Sequence, residues 1–222
     1  MIDSLNVARY FIIRAYEDGI EAEMTNMKVQ KLLYYAQSLH LALYNEPLFA
    51  EEIQAWRYGP VCPPAYKFYS EFEAKQLPIP DKESLLQLPR EKKELLEEIW
   101  EYFGGYHAYK LSDMTHLEFP WKKARKGLPP QASSTEPIQL NDMKELGYQK
   151  LDQIERDNPA YKRAMSEVII LIPEEADIDD RSQAEVLADF RQAWHEAMTG
   201  QTISVAQLWE GLEDVGAAFN SS

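Results

Sequence analysis

With 222 residues, 45% of them hydrophobic and 27% charged, the chain has the make-up of a globular protein. That is enough for one well-buried domain with an appendage, or for two small domains. No apolar run approaches the ~18–20 residues that span a bilayer, and MIDSLNVARY lacks the basic and apolar regions of a signal peptide. Cys62 is the single cysteine, which excludes an internal disulfide framework, so a cytoplasmic protein is expected.

Charge is unevenly placed. Of the formal −14, residues Glu167 to Ser222 hold 12 acids against two bases, a balance of −10, leaving 25 acids and 21 bases in residues 1–166. We therefore divide the chain into a nearly neutral body, 1–166, and an acidic extension, 167–222. Nonspecific nucleic-acid binding needs a local excess of Lys and Arg, which such a chain lacks. An acidic extension suits a basic protein partner, or it only solvates a surface.

Ser4 is placed to cap a first helix with Leu5, Ala8, Phe11, Ile12 and Ala15 on one face and Gly19 at its end. Thr25 or Asn26 caps a second. Its stripe of Val29, Leu32, Leu33, Ala36, Leu39, His40 and Leu43 recurs at helical spacing. Tyr34 and Leu41 fall opposite that stripe, with Lys31 and Ser38 beside them. A helix that is apolar on both sides is either sandwiched within the fold or reserves one side for a partner. The second alternative makes Lys31, Tyr34, Ser38 and Leu41 candidate partner-binding residues.

Asn45-Glu46-Pro47 breaks this helix, Ile53 to Trp56 reads as a short strand, and Gly59-Pro60 as a turn. Pro63-Pro64 opens a helix with Ala65, Phe68, Tyr69 and Phe72 on one face. A loop from Gln76 to Pro89 leads to a helix with Leu95, Leu96, Ile99, Trp100 and Phe103 inward, stopped by Gly104-Gly105. Leu111 to Leu117 is a short helix capped by Ser112, followed by Pro120-Trp121 and a loop over Gly127–Pro137. Asn141 and Asn158-Pro159 start two further helical segments. In the extension, Val168 to Ile172 is mostly β-branched and strand-like. A helix marked by Phe190 and Trp194 follows, then a short one bearing Leu208, Trp209 and Leu212. About 55 residues cannot bury these faces alone, so Phe190, Trp194, Leu208, Trp209 and Leu212 are further candidate partner contacts. The fold class expected is mainly α: a multi-helix body with a short β element, plus a strand-helix-short helix extension.

Signatures of catalysis are lacking: no P-loop, Rossmann glycine pattern, HExxH or nucleophile elbow occurs. His40, His107, His116 and His195 do not fall at metal-ligand spacing, and His40 on the buried stripe reads as a core histidine. Cys62 with His116 is the only nucleophile pair to weigh, and a buried inert thiol is the commoner outcome. The run Trp121-Lys122-Lys123-Ala124-Arg125-Lys126 is the one concentrated basic patch, and it fits a solvated helix face better than a nucleic-acid contact. No cofactor or metal is expected, and no enzyme activity.

Three ordered blocks carry a resemblance. Gln30-Lys31-Leu32-Leu33-Tyr34-Tyr35-Ala36-Gln37 with His40, then Ala55-Trp56-Arg57-Tyr58-Gly59-Pro60-Val61, then Leu111-Ser112, Thr115-His116 and Pro120-Trp121 resemble the Panacea domain (SocA/GepA-like, phage-associated). The resemblance implies a mainly helical antitoxin domain that neutralises a co-expressed toxin by direct contact. In it Gln30, Leu32, Tyr35, His40, Trp56, Tyr58, Gly59, Pro60, His116 and Trp121 act as scaffold and none as a catalyst. The stretch Phe190 to Val215 is similar to the tails of small antitoxins that wrap RelE/ParE-like toxins.

Together these imply an antitoxin whose partner is a protein toxin, either basic and RelE/ParE-like or nucleotide-transferring, with no membrane partner and no DNA partner expected. The alternative is an adaptor that hands the toxin to a protease, or a transcriptional autoregulator. An enzyme that reverses the toxin's modification is the third reading, and the sequence offers it no acid/base pair.

Overall fold

Helix Asn26–Tyr44 is buried on every side at the centre of the computed structural model, which describes residues 1–81 and 88–157. In chain order the elements are α1 (Ser4–Glu17), α2 (Asn26–Tyr44), β1 (Gln54–Trp56), β2 (Gly59–Val61), α3 (Pro63–Phe68), α4 (Arg90–Phe103), α5 (Ala108–Leu117), α6 (Phe119–Ala124) and α7 (Leu140–Asp157). Single 3-10 turns lie at Glu21–Glu23 and Ser70–Phe72. The described part is thus mainly α with a short β element, as expected, and that element is a two-stranded antiparallel sheet.

Thr25 caps α2 by accepting from the Lys28 N–H, and Asn45 ends it in the left-handed region at φ 55°. Every residue from Lys28 to Ala42 is buried, because α1, α4, α5, α7 and β2 all pack against this one helix. α1 contributes Val7, Ala8, Phe11, Ile12 and Ala15, and α4 contributes Leu95, Leu96, Ile99, Trp100 and Phe103. The Tyr35 and Phe103 rings stack at 4.1 Å and 6°, joining α2 to α4. α7 crosses α2 with Gly147 over Ser38 and Ala42, where a side chain would collide with the α2 backbone. A buried ion pair, Lys150 to Glu118 at 2.8 Å, ties α7 to the start of α6, and Tyr35 donates to the same carboxylate at 3.0 Å. Burial holds the Glu118 carboxyl above its usual range despite Lys150, so desolvation offsets part of what the pair contributes.

Several local expectations are corrected. Asp3, not Ser4, caps α1 by accepting from the Leu5 N–H, while the Ser4 hydroxyl donates to Glu51 at 2.7 Å. His107, not Ser112, caps α5, which starts a turn earlier than its apolar pattern suggests. Gly59-Pro60 lies within β2, and the turn is Arg57-Tyr58, with Trp56 paired to Gly59. Phe68 is 52% exposed: α3 stops at this residue, and of the expected face Ala65, Tyr69 and the half-buried Phe72 pack on the core while Phe68 does not. The helix start at Asn158-Pro159, the strand over 168–172 and the two helices of the extension lie outside the described residues, as do Phe190, Trp194, Leu208, Trp209 and Leu212.

Candidate functional site

The hairpin β1–β2 is held by its backbone carbonyls. Arg125 donates to the Ala55 carbonyl at 3.1 Å, the Trp121 indole N–H to Trp56 at 2.9 Å, and His116 Nε2 to Arg57 at 3.1 Å. Ser112 Oγ donates to Tyr58 at 3.2 Å and Lys31 Nζ to Pro60 at 3.0 Å. Five carbonyls between positions 55 and 60 are thus met by side chains of α2, α5 and α6 and by Arg125 just beyond α6. The same Arg125 guanidinium reaches the Pro129 and Ala132 carbonyls at 2.8 and 2.7 Å and lies 4.7 Å from the Trp121 ring centroid. On its other edge β1 meets the loop before α7: the Ala55 N–H donates to Glu136 and the Ile138 N–H to Ile53, both at 2.8 Å.

With its main chain engaged on the inside, the hairpin turns Arg57 and Tyr58 outward; Tyr58 is 63% exposed. They border a groove of about 930 Å³ whose other walls are Asn26, Gln30 and Lys31 of α2, Tyr66 of α3, and Tyr109 and Ser112 of α5. Tyr109 and Tyr66 are 66% and 38% exposed, so the groove presents aromatic surface to solvent. Its α2 wall is rigid: Gln30 accepts from the Cys62 N–H at 2.9 Å and donates to Asn26, which donates to the Tyr66 carbonyl at 3.0 Å. Lys31 is the floor. Its ammonium lies beneath Gly59, and burial alone lowers it to about 7.

The second face of α2 is not open. Ser38 lies under Gly147, the Tyr34 hydroxyl faces Glu118, Lys31 is under the hairpin, and Leu41 is buried with them. Of Lys31, Tyr34, Ser38 and Leu41, Lys31 alone lines this groove. The docking surface expected on these four residues is filled by the protein's own elements. Among the residues expected as scaffold, Gln30, Leu32, Tyr35, His40, Gly59, Pro60 and Trp121 are buried and Trp56 and His116 half-buried. Tyr58 points to solvent instead. Arg57, Tyr66 and Tyr109 were missed as groove residues, and only the Trp-Arg-Tyr run gave a hint of them.

The basic run is dispersed. Trp121 and Arg125 turn inward, Lys123 pairs with Asp142 at 2.6 Å and Lys126 with Glu136 at 2.8 Å. Cys62 is buried, its thiol is pushed up by burial, and it neighbours Ser4 and Ala65, whereas His116 packs on Trp121 at 4.5 Å. Among the described residues no cluster of His, Cys, Asp and Glu is suited to hold a metal, and no helix is long and apolar enough to cross a membrane.

Residues 29–122 match the family model described as antitoxin SocA-like, Panacea domain. The chain is also similar to Antitoxin SocA of Caulobacter vibrioides (strain NA1000 / CB15N), at 32% identity over 69 residues. That stretch covers 31% of this chain and 36% of the relative. No solved structure matches the chain.

Proposed function

From a chain that carries a SocA-like Panacea domain at residues 29–122, we propose an antitoxin that neutralises a co-expressed protein toxin by direct binding, without chemistry of its own. The observation that carries this reading is the inward-clamped hairpin. Side chains of the first and third blocks, with Arg125 just beyond them, grip the carbonyls of the second, and the result is a rigid ridge with Arg57 and Tyr58 displayed beside an aromatic groove. Exposed Tyr, Trp and Arg on a fixed backbone make an effective protein-binding surface, since little side-chain entropy is lost on contact. The −10 balance of residues 167–222 favours a toxin with a basic surface.

Co-expression with the product of the adjacent reading frame tests it. The full chain restores growth, and the two proteins co-purify with the toxin level unchanged. Growth arrest despite a folded, expressed chain overturns the proposal. A fall in toxin level that requires a cellular protease moves the function to adaptor.

A further inference from the structure

We infer that the groove between the hairpin and α5 is a docking site for an extended segment of the partner protein that carries an aromatic side chain and a carboxylate. The inference rests on the antitoxin reading above and names the chemistry its partner must offer.

Two features give the groove its preference. Tyr58, Tyr66 and Tyr109 stand exposed on three walls, with Trp56 half-buried beside them, which is more solvent-facing aromatic surface than an unoccupied cleft requires. Flat rings presented this way favour another ring or an aliphatic side chain inserted between them. The second feature is cationic. Among the described residues, neither Lys31 on the floor nor Arg57 on the rim has a carboxylate partner. Lys31 has one hydrogen bond, to Pro60, and Arg57 only lies over the Tyr58 ring at 5.0 Å. Lys31 is buried beneath Gly59, so the cation that an entering carboxylate can reach directly is Arg57 on the exposed rim. An exposed guanidinium can meet an incoming carboxylate with two parallel hydrogen bonds, and Lys31 below it adds to the positive field at this end of the groove.

A polyanion fits less well. Glu23 and Glu73 border the opposite end of the same groove, and the chain is acidic overall, so a run of phosphates would meet repulsion where a single carboxylate at the hairpin end does not. The groove is therefore matched to a peptide whose negative group is local.

Two measurements test this on the full chain. In the first, N-acetyl-tryptophan and its uncharged amide are titrated while the Lys31 ε-CH₂ and Trp56 indole resonances are followed. The carboxylate form gives saturable shifts at both, about tenfold tighter than the amide, and Arg57→Ala and Lys31→Met each narrow the gap. Equal binding of the two compounds, or no saturable shift with either, overturns the carboxylate assignment. So does tighter, salt-sensitive uptake of a single-stranded oligonucleotide. In the second, Arg57→Glu and Tyr109→Ala, both on exposed positions, are compared with wild type in the growth assay. Loss of rescue with unchanged thermal stability supports the groove. Full rescue by both variants removes the groove as the docking site while leaving the antitoxin function intact. Failure of wild type to rescue counts against the function, and the titration still reports on the groove.

Discussion

Gly59 lies directly across the ammonium of Lys31. A Cβ built on Gly59 would fall 2.8 Å from Lys31 Nζ and 2.7 Å from Thr115 Oγ1, and the residue sits at φ +97°, where L side chains are strained. The β1–β2 hairpin can close over a buried lysine only because this position has no side chain. Gly59→Ala combines overpacking with backbone strain and is expected to cost about 2–4 kcal/mol. Urea unfolding followed by tryptophan fluorescence measures it; a loss under 1 kcal/mol would mean the hairpin is not held this tightly.

Lys31 makes stability depend on pH. Its pKa in the fold is about 7 against 10.5 unfolded, so between these values the unfolded chain binds more protons and stability rises with pH. Below about 7 both states are charged and the full cost of burying the ammonium is present. Lys31→Met should therefore stabilise the protein most near pH 6. Its advantage should shrink towards pH 10, by at most about 1.4 kcal/mol per pH unit. A pH-independent difference between the two proteins would refute this.

His40 titrates in the acid direction. Its Nδ1–H donates to the Glu46 carbonyl at 2.7 Å and its Nε2 accepts from Lys92 at 2.6 Å, which requires a neutral ring. Burial, reinforced by Lys92 and the N-terminal ammonium against Glu46, lowers it to about 4. The stability it provides is present above its unfolded value of 6.5 and is lost as pH falls towards 4. The loss expected is about 1–3 kcal/mol. Stability curves of His40→Gln should be flatter than wild type between pH 7 and 4.5.

Gly147 allows α7 to touch α2. An added Cβ would overlap the Ser38 carbonyl and come within 2.8 Å of the Ala42 Cβ. Alanine is the better helix former by ~1 kcal/mol, but backbone collision outweighs that preference. Gly147→Ala is expected to destabilise by about 1–3 kcal/mol net, and Gly147→Leu by more. A gain in midpoint for Gly147→Ala would show that the two helices separate freely.

Arg125 joins four carbonyls, those of Ala55, Pro129, Pro130 and Ala132, that no single ammonium can reach together. Arg125→Ala is expected to cost about 3 kcal/mol, and Arg125→Lys to recover less than half of it. Near-UV circular dichroism should report the release of Trp121, whose ring the guanidinium covers. Full rescue by lysine would reduce Arg125 to a simple charge.

Much of the architecture was legible in the sequence, because burial leaves a periodic trace. The stripe Val29 to Leu43, the face Leu95 to Phe103 and the breaks at Asn45, Gly104 and Gly127 locate helices α2 and α4 and the loop before α7. Caps were harder. Asp3, Ser4, His107 and Ser112 are all plausible by residue type, and long-range partners such as Glu51 and the Tyr58 carbonyl decide between them.

By itself, the sequence determined the helical body, one short strand beside it and three ordered blocks that resemble the Panacea domain. Which side of α2 would be free was not determined, since a two-sided apolar helix fits a partner and a sandwich equally well. Tertiary packing decided it by laying α7 and the hairpin over Lys31, Tyr34, Ser38 and Leu41. Packing also moved the open surface to Arg57, Tyr58, Tyr66 and Tyr109. The reason is physical: main-chain carbonyls are identical at every position, so no residue pattern announces that five of them in one hairpin are gripped from within. Only when Lys31, Ser112, His116, Trp121 and Arg125 converge in space does the hairpin's outer edge become the exposed side of the domain's central motif.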